Sequence, residues 1–294
     1  MVQDATIIPS ETGDWPGPAP SASGAVANLR QPLPWWQRLW RLGWLRKGLL
    51  IATLAGAWQA YATWLSRPLL LPTFSATALA FYDALVHGEL ICRVATSVKI
   101  LLIGYAAGVV LAAALAILAA STRLGADLLE TLASMLNPLP AIALIPLALL
   151  WFGLGAPSMI FVLIHAVLWP VALNAHAGFT GINPTLRMVG QNYGLSRLSF
   201  AVRILIPAAL PSILTGLKHG WAFAWRTLIA AELVFGVSSG SGGLGWFIYE
   251  MKTQLETAAV FAGLGTVILI GLLIEHCVFR PLESRTIRRW GMRQ

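Results

Sequence analysis

Six long apolar runs, separated by short polar or basic segments, organise the chain: 48–66, 94–120, 131–152, 157–178, 212–235 and 258–279. Each is close to the roughly 20 apolar residues that a helix needs to cross the hydrocarbon of a bilayer. The pattern therefore predicts an all-α membrane protein with about six transmembrane helices. The third run is unusual because it contains Pro138, Pro140 and Pro146. Proline frees backbone carbonyls, which are tolerated at membrane depth only where protein or water satisfies them. Two readings stand here: a helix broken beside a pathway at Pro140, or a tight inner-surface turn followed by one kinked helix. Between the first two runs, residues 67–92 are only mildly apolar and carry Asp83, His87 and Glu89, which suits an amphipathic segment on the outer surface.

The ends read differently. Residues 1–33 are rich in Pro, Gly, Ser and Ala without an apolar period and read as a disordered cytoplasmic tail. No signal peptide is expected, since the first positive charge is Arg30 and no short apolar core follows Met1. Residues 34–47 mix Trp35, Trp36, Trp40 and Trp44 with Arg38, Arg41, Arg46 and Lys47. Indole rings prefer the headgroup zone and arginines attract anionic lipid, so an interfacial helix is expected there. A transmembrane domain would then occupy 48–280, with a basic cytoplasmic tail over 281–294.

Composition agrees with the apolar pattern. Only 11% of the 294 residues are charged, 57% are hydrophobic, and the mean hydropathy is +0.72. Soluble domains carry about 25% charge. The net charge of +8 invites a nucleic-acid reading until the charges are placed. Fourteen of the twenty Lys and Arg fall in the N-terminal flank, the 121–130 loop, the 179–211 connector and the C-terminal tail. Arg67, Lys252 and the rim residue Arg93 fall on the other side, and Lys99, Lys218 and Arg226 fall inside spans. Positive charge collects on the cytoplasmic side, so both termini are expected there and an even number of spans follows. No nucleic-acid partner is needed.

Cys92 and Cys277 are expected near opposite faces of the membrane, where they do not pair. Gly104 and Gly108 in the second span, with Gly263, Gly265 and Gly271 in the sixth, suit close helix packing. The chain has no P-loop pattern for ATP, no H-E-x-x-H and no aspartate pair within a span, which leaves an intramembrane enzyme without its chemistry. A stand-alone ion-coupled carrier or channel would be expected to show internal repeats or mid-span acids. It also leaves the connector unexplained.

That connector runs from Arg187 to Pro211 and reads RMVGQNYGLSRLSFAVRILIPAALP. It has a turn glycine, Gly194, three arginines, an apolar set and Pro207. This is the make-up of a short docking helix at a membrane surface. It resembles the cytoplasmic coupling loop of ABC-importer permeases, whose pattern is Glu-Ala-Ala, three residues, Gly, nine residues, then Ile-x-Leu-Pro. Gly194 and Ile204-Leu205-Ile206-Pro207 fit the second half. Met188, Val189 and Gly190 stand where Glu-Ala-Ala would be. The stretch from Asn137 to Gly155, and Trp225-Arg-Thr-Leu-Ile-Ala-Ala-Glu232 followed by Ser239 to Trp246, look like the third and fifth spans of permeases from the nitrate/sulfonate/taurine/bicarbonate group.

The resemblance implies a type I ABC-importer permease fold with a coupling loop over 181–211, placed in a bacterial inner membrane. It implies a homodimer around one path, two ABC ATPase subunits carrying ATP and Mg, and a periplasmic substrate-binding protein. No cofactor or metal is expected on this chain. Gln191, Asn192, Tyr193, Gly194, Leu195, Ser196 and Arg197 would sit in a groove of the ATPase, with Ile204 and Pro207 behind them.

Within the spans, Arg226 offers a positive fork to an anion on the path or pairs with another helix or subunit. Glu232 lies six residues on, hence on a different face, and reads as a lock for the outer gate or the glycine-rich loop. Trp221 and Trp225 line the path or pack. His165 shares a face with Trp169 and reads as a path residue or as a hydrogen-bonded interior histidine. His165 and His176 are too far apart in height to share a metal. Gly240 to Gly245 would form an outer loop that meets the binding protein, closes the path or simply turns. The sequence does not choose among nitrate, sulfonate, taurine, bicarbonate or an aromatic acid.

Overall fold

The computed structural model describes residues 43–194, 196–235 and 242–286. It divides into a first unit ending at Ala55 and a second from Gly56 onward. Of the first unit only residues 43–55 are described, and they are helical. They begin α1, Gly43–Leu65, which runs without a break through the expected boundary at 47/48. The tail 1–33 and most of the interfacial stretch, 34–42, lie outside the described residues.

Every regular element among the described residues is helical. After α1 come α2 (Phe74–Val86), α3 (Leu90–Ser121), α4 (Arg123–Leu136), a 3₁₀ turn (Ala141–Leu144), α5 (Ile145–Phe152) and α6 (Ala156–Thr180). The connector forms α7 (Pro184–Asn192) and α8 (Arg197–Phe200), and a π turn (Ala201–Leu205) leads into α9 (Ile206–Phe235). Last come α10 (Leu244–Thr253), α11 (Thr257–Ile274), a second π turn (Glu275–Phe279) and α12 (Arg280–Thr286).

Among the described residues, four helical stretches are long and apolar enough to cross a bilayer: 90–121, 156–180, 201–234 and 257–286. A fifth span results if α4 and the 141–152 stretch count as one, although they meet at 86°. This differs from the expectation of six. α1 has the length for a span, but Gln59, Trp58, Tyr61 and Trp64 dilute its apolar character. The last helix also passes the expected boundary at 280 and continues to Thr286.

The third run is broken, and the position of the break explains itself. Pro138 and Pro140 follow α4 where its ladder ends at Asn137, whose N–H still reaches Ala133 O at 3.0 Å. Pro146 is no interruption. It lies in the first turn of α5, where a missing N–H has no intrahelical acceptor to lose. Thr122 closes α3 and caps α4, its Oγ1 accepting from Gly125 N–H at 2.9 Å.

α6 lies at the centre, with 56% of its most apolar stretch buried, against 11% for the 201–234 span. α3 crosses α6 closely because Gly104 and Gly108 leave room for Leu163 and Val167. A methyl group at either glycine would come within 2.7 Å of those side chains. Tyr105 O–H donates to Leu217 O at 2.9 Å and fastens α3 to α9. The low burial of α9 shows that one of its faces is left uncovered by the other described residues.

Candidate functional site

The open face of α9 is set by helical periodicity. Thr215, His219, Ala222, Phe223 and Arg226 are exposed and recur at intervals of three and four, so they form one stripe. The opposite face carries buried Gly216, Gly220, Ala224, Trp225, Thr227, Leu228, Ala231 and Glu232. The exposed face of α11 is Leu264, Ile268, Leu269, Leu272 and Leu273, which suits lipid. The α9 stripe does not, because it carries a hydroxyl, an imidazole and a guanidinium.

Arg226 is held but keeps its fork free. Its Nε donates to Ala222 O at 3.0 Å, and the guanidinium carbon lies 4.9 Å from the Phe223 ring centre. No ion pair to Arg226 occurs among the described residues. Counted from Phe235, Arg226 is nine residues in, about 14 Å along the helix and near mid-membrane depth.

Glu232, expected on a different face from Arg226, is fully interior. Its Oε1 accepts from Ser97 Oγ at 2.6 Å and its Oε2 from Gly245 N–H at 2.7 Å. Ser97 in turn accepts from Leu244 N–H at 2.7 Å. Glu232 and Ser97 thus cap the first turn of α10 from two other helices. Gly243, the N-cap residue of α10, has no side chain for that task, and any Cβ there would strike Glu232 Oε1 and Ser97 Oγ. Arg93 makes a second hold. It donates to Gly242 O at 3.1 Å and pairs with Glu250 at 3.2 Å and Glu89 at 2.9 Å. This arrangement is a latch on the segment that follows the glycine-rich stretch. Of that stretch, residues 236–241 lie outside the described residues. Gly236-Val-Ser-Ser-Gly240 has the G-x-S-x-G spacing of a nucleophile turn. That motif requires a strand before the serine, whereas the preceding element here is a helix, α9.

Trp221 and Trp225 lie on the packed side of α9. Trp225 is 7% exposed and donates its indole N–H to Val267 O at 3.3 Å. Trp221 packs edge-on against Tyr105 at 5.2 Å. Both turn away from the Arg226 stripe. His165 is half-buried, its Nε2 3.2 Å from Leu139 O, and Trp169 Nε1–H donates to its Nδ1 at 3.3 Å. It ties α6 to the break that Pro140 ends. No cluster of potential metal ligands occurs among the described residues.

The connector folds as two short helices about Gly194, whose φ of +62° is accessible to glycine at little cost. Asn183 caps α7 through Thr185 N–H at 2.9 Å, and Ser196 caps α8 through Ser199 N–H at 3.3 Å. Asn192, Tyr193 and Ser196 are exposed, Tyr193 at 80%. Leu195 and the side chains of Gln191 and Arg197 lie outside the described residues. Ile204 and half-buried Pro207 lead into α9. Sequence reading missed the reason for Gly190. The Phe200 ring lies over it, with Cε2 2.6 Å from where a Cβ would sit and Ile204 Cδ1 at 3.2 Å. The residue that departs from the coupling-loop pattern is thus filled from the other arm of the connector.

Comparison with known proteins agrees with this architecture. The family described as binding-protein-dependent transport system inner membrane component matches residues 104–279. A protein described as an aliphatic sulfonates transport permease, SsuC of Escherichia coli (strain K12), is 32% identical over 240 residues, 81% of this chain and 89% of that one. The taurine transport system permease TauC of the same organism is 34% identical over 54% of this chain and 56% of its own. The nitrate import permease NrtB of Synechocystis is 31% identical over 60% of this chain and 62% of its own. A stand-alone carrier or channel is thereby set aside, and a binding protein and an ATPase are implied as partners. An all-helical, multi-pass bundle and a family match over more than half its length place this chain among the inner-membrane permeases of binding-protein-dependent ABC transport systems.

Proposed function

We propose that two copies of this chain enclose one path, that the Arg226 stripe of α9 faces it, and that the cargo is a small oxyanion of the nitrate, sulfonate or taurine kind. The observation that carries this is the free guanidinium of Arg226 at mid-membrane depth. An intramembrane charge faces a partner or water, and this sequence supplies no spare acid at that depth. Glu232 is consumed by the latch and Glu275 pairs with Lys218 at 2.5 Å. Asp83, Glu89, Glu250, Glu256 and Glu283 lie at helix ends, and Asp127 and Glu130 are exposed on α4, five and eight residues past Thr122. Asp4, Glu11 and Asp14 lie outside the described residues. A second identical copy brings the same set, so the fork waits for an anion that comes and goes.

Both termini and the connector face the cytoplasm in this reading, as the lysine and arginine distribution supports. Exposed Tyr193 and the rigid pair of helices about Gly194 dock on one of two ATPase subunits. Nucleotide-driven closure then tilts α9, which continues directly from the connector. The test is uptake by the reconstituted complex. Arg226→Ala reduces transport of the anionic substrate while the ATPase still co-purifies. Loss of assembly instead would assign Arg226 to a structural pair.

A further inference from the structure

The segment that breaks the third run lies level with Arg226. Two hydrogen bonds tie it to α6: His165 Nε2 to Leu139 O at 3.2 Å and Ser158 Oγ to Ala148 O at 3.0 Å. Trp169 N–H occupies His165 Nδ1, which leaves Nε2–H to donate to Leu139 O. The 3₁₀ turn Ala141–Leu144 falls between these two anchors and touches α9 as well as α6. α6 and α9 run antiparallel, with Gly216 set against Pro170 and Asn174, and Gly220 against Val167 and Val171. That register puts the anchored segment level with the part of α9 on either side of Arg226. His165 and Arg226 are each nine residues from the neighbouring helix ends, Ala156 and Phe235, about 14 Å along their axes. The Nε bond to Ala222 O draws the guanidinium back along α9, toward the level of His165 and Leu139.

Asn137 stands at the start of this segment, and all of residues 134–140 are exposed. Its backbone N–H completes α4 by donating to Ala133 O, but its side-chain amide makes no hydrogen bond among the described residues. Pro138 stops the helix there and the chain turns by 86°, so no further turn of α4 covers the amide. Hydrocarbon offers an amide no partner, so at this depth it faces water or protein. The nearest carboxylates on its own helix, Glu130 and Asp127, are seven and ten residues back, about 10 and 15 Å along the axis. Glu232 is held in the latch. We propose that Asn137 is a second ligand for the anion at Arg226, its amide N–H₂ donating to an oxygen that the fork leaves free. This rests on the reading of the α9 stripe as the path wall. A guanidinium grips two oxygens of an oxyanion in parallel, and the third oxygen of a nitrate or sulfonate still needs a donor. The amide supplies one without adding charge, which suits a path whose sites must bind weakly enough to release.

The experiment uses the assembled complex in proteoliposomes, with exposed Cys92 and Cys277 replaced by serine. Ala222→Cys, on the stripe beside Arg226, is modified by sulfonatoethyl methanethiosulfonate. Unreactive ethanesulfonate, at constant ionic strength, is the probe that competes for the site and protects the thiol. Arg226→Gln is expected to weaken that protection at least tenfold. Asn137→Leu is expected to raise the half-protecting concentration about tenfold, as the loss of one hydrogen bond to a charged group does. Asn137→Asp, of the same size but with a carboxylate in place of the donor, is expected to abolish protection. Protection unchanged by Asn137→Leu while Arg226→Gln weakens it overturns the role of Asn137 and leaves the path-wall reading standing. If Asn137→Leu does not assemble, Asn137→Asp decides, and protection retained there overturns the proposal. An Ala222→Cys thiol that does not react, or that ethanesulfonate never protects, removes both readings.

Discussion

Replacing Glu232 by alanine tests the latch where the geometry is tightest. The carboxyl group receives Ser97 O–H and Gly245 N–H, and all three residues are buried. Alanine leaves both donors without an acceptor in a dry site. Each unsatisfied buried group costs about 1–3 kcal/mol, so the loss is roughly 2–6 kcal/mol before any cavity term. Glu232→Gln keeps the shape and can still accept from Gly245 N–H. Its amide then points a donor at Ser97, so the cost falls to about half. A thermal midpoint measured on the complex in detergent should drop by on the order of 10 °C for alanine and by clearly less for glutamine. The first turn of α10 loses its surrogate caps, so proteolysis in the 236–245 stretch should accelerate in the same order. An alanine variant with an unchanged midpoint and unchanged proteolysis would refute the reasoning, since it would mean these hydrogen bonds carry no net stability.

Other substitutions probe the remaining elements. Gly194→Val forces a β-branched residue to φ +62°, at a cost of about 1–3 kcal/mol. Membrane insertion should survive, while co-purification of the ATPase or ATP-driven uptake falls. Gly190→Val drives a side chain into the Phe200 ring and should lower the same readouts, with Phe200→Ala in the double variant restoring part of the loss, a coupling measured by the double-mutant cycle. Gly108→Leu pushes α3 off Val167 and should lower the yield of folded protein on size-exclusion chromatography. Arg93→Ala should release Gly242 and add to the proteolytic sensitivity of the Glu232 variants, because it holds a neighbouring part of the same segment.

Much of the bundle was legible because membrane helices announce themselves by length and apolarity, and the long helices that contain the second, fourth, fifth and sixth runs do so. The third run was harder to read. Proline content signals a break but not its place. The ladder had to end at Asn137 before Pro138 and Pro140 mattered, and Pro146 turned out to sit where proline costs little. Helical periodicity correctly separated Arg226 from Glu232, because 3.6 residues per turn is fixed. The same periodicity sets Trp221 and Trp225 on the Glu232 side of α9, but which side is buried depends on α3 and α11, and a single helix does not reveal its neighbours. Glycines at 190 and 243 looked like departures or flexible turns. Their reason is the ring of Phe200 and the oxygens of Glu232 and Ser97, contacts that are distant in sequence for Ser97 and carry no local signal. His219 was overlooked because nothing at its position stands out until the exposed stripe is seen whole.

The account turns on what the open face of α9 meets in the membrane. A nitroxide attached at Ala222→Cys, beside an intact Arg226, reports this directly in the assembled complex through relaxation by a water-soluble nickel chelate and by oxygen. The account predicts strong relaxation by the nickel chelate at a depth where hydrocarbon would exclude it. Relaxation by oxygen alone would place that face in lipid and contradict the proposed path.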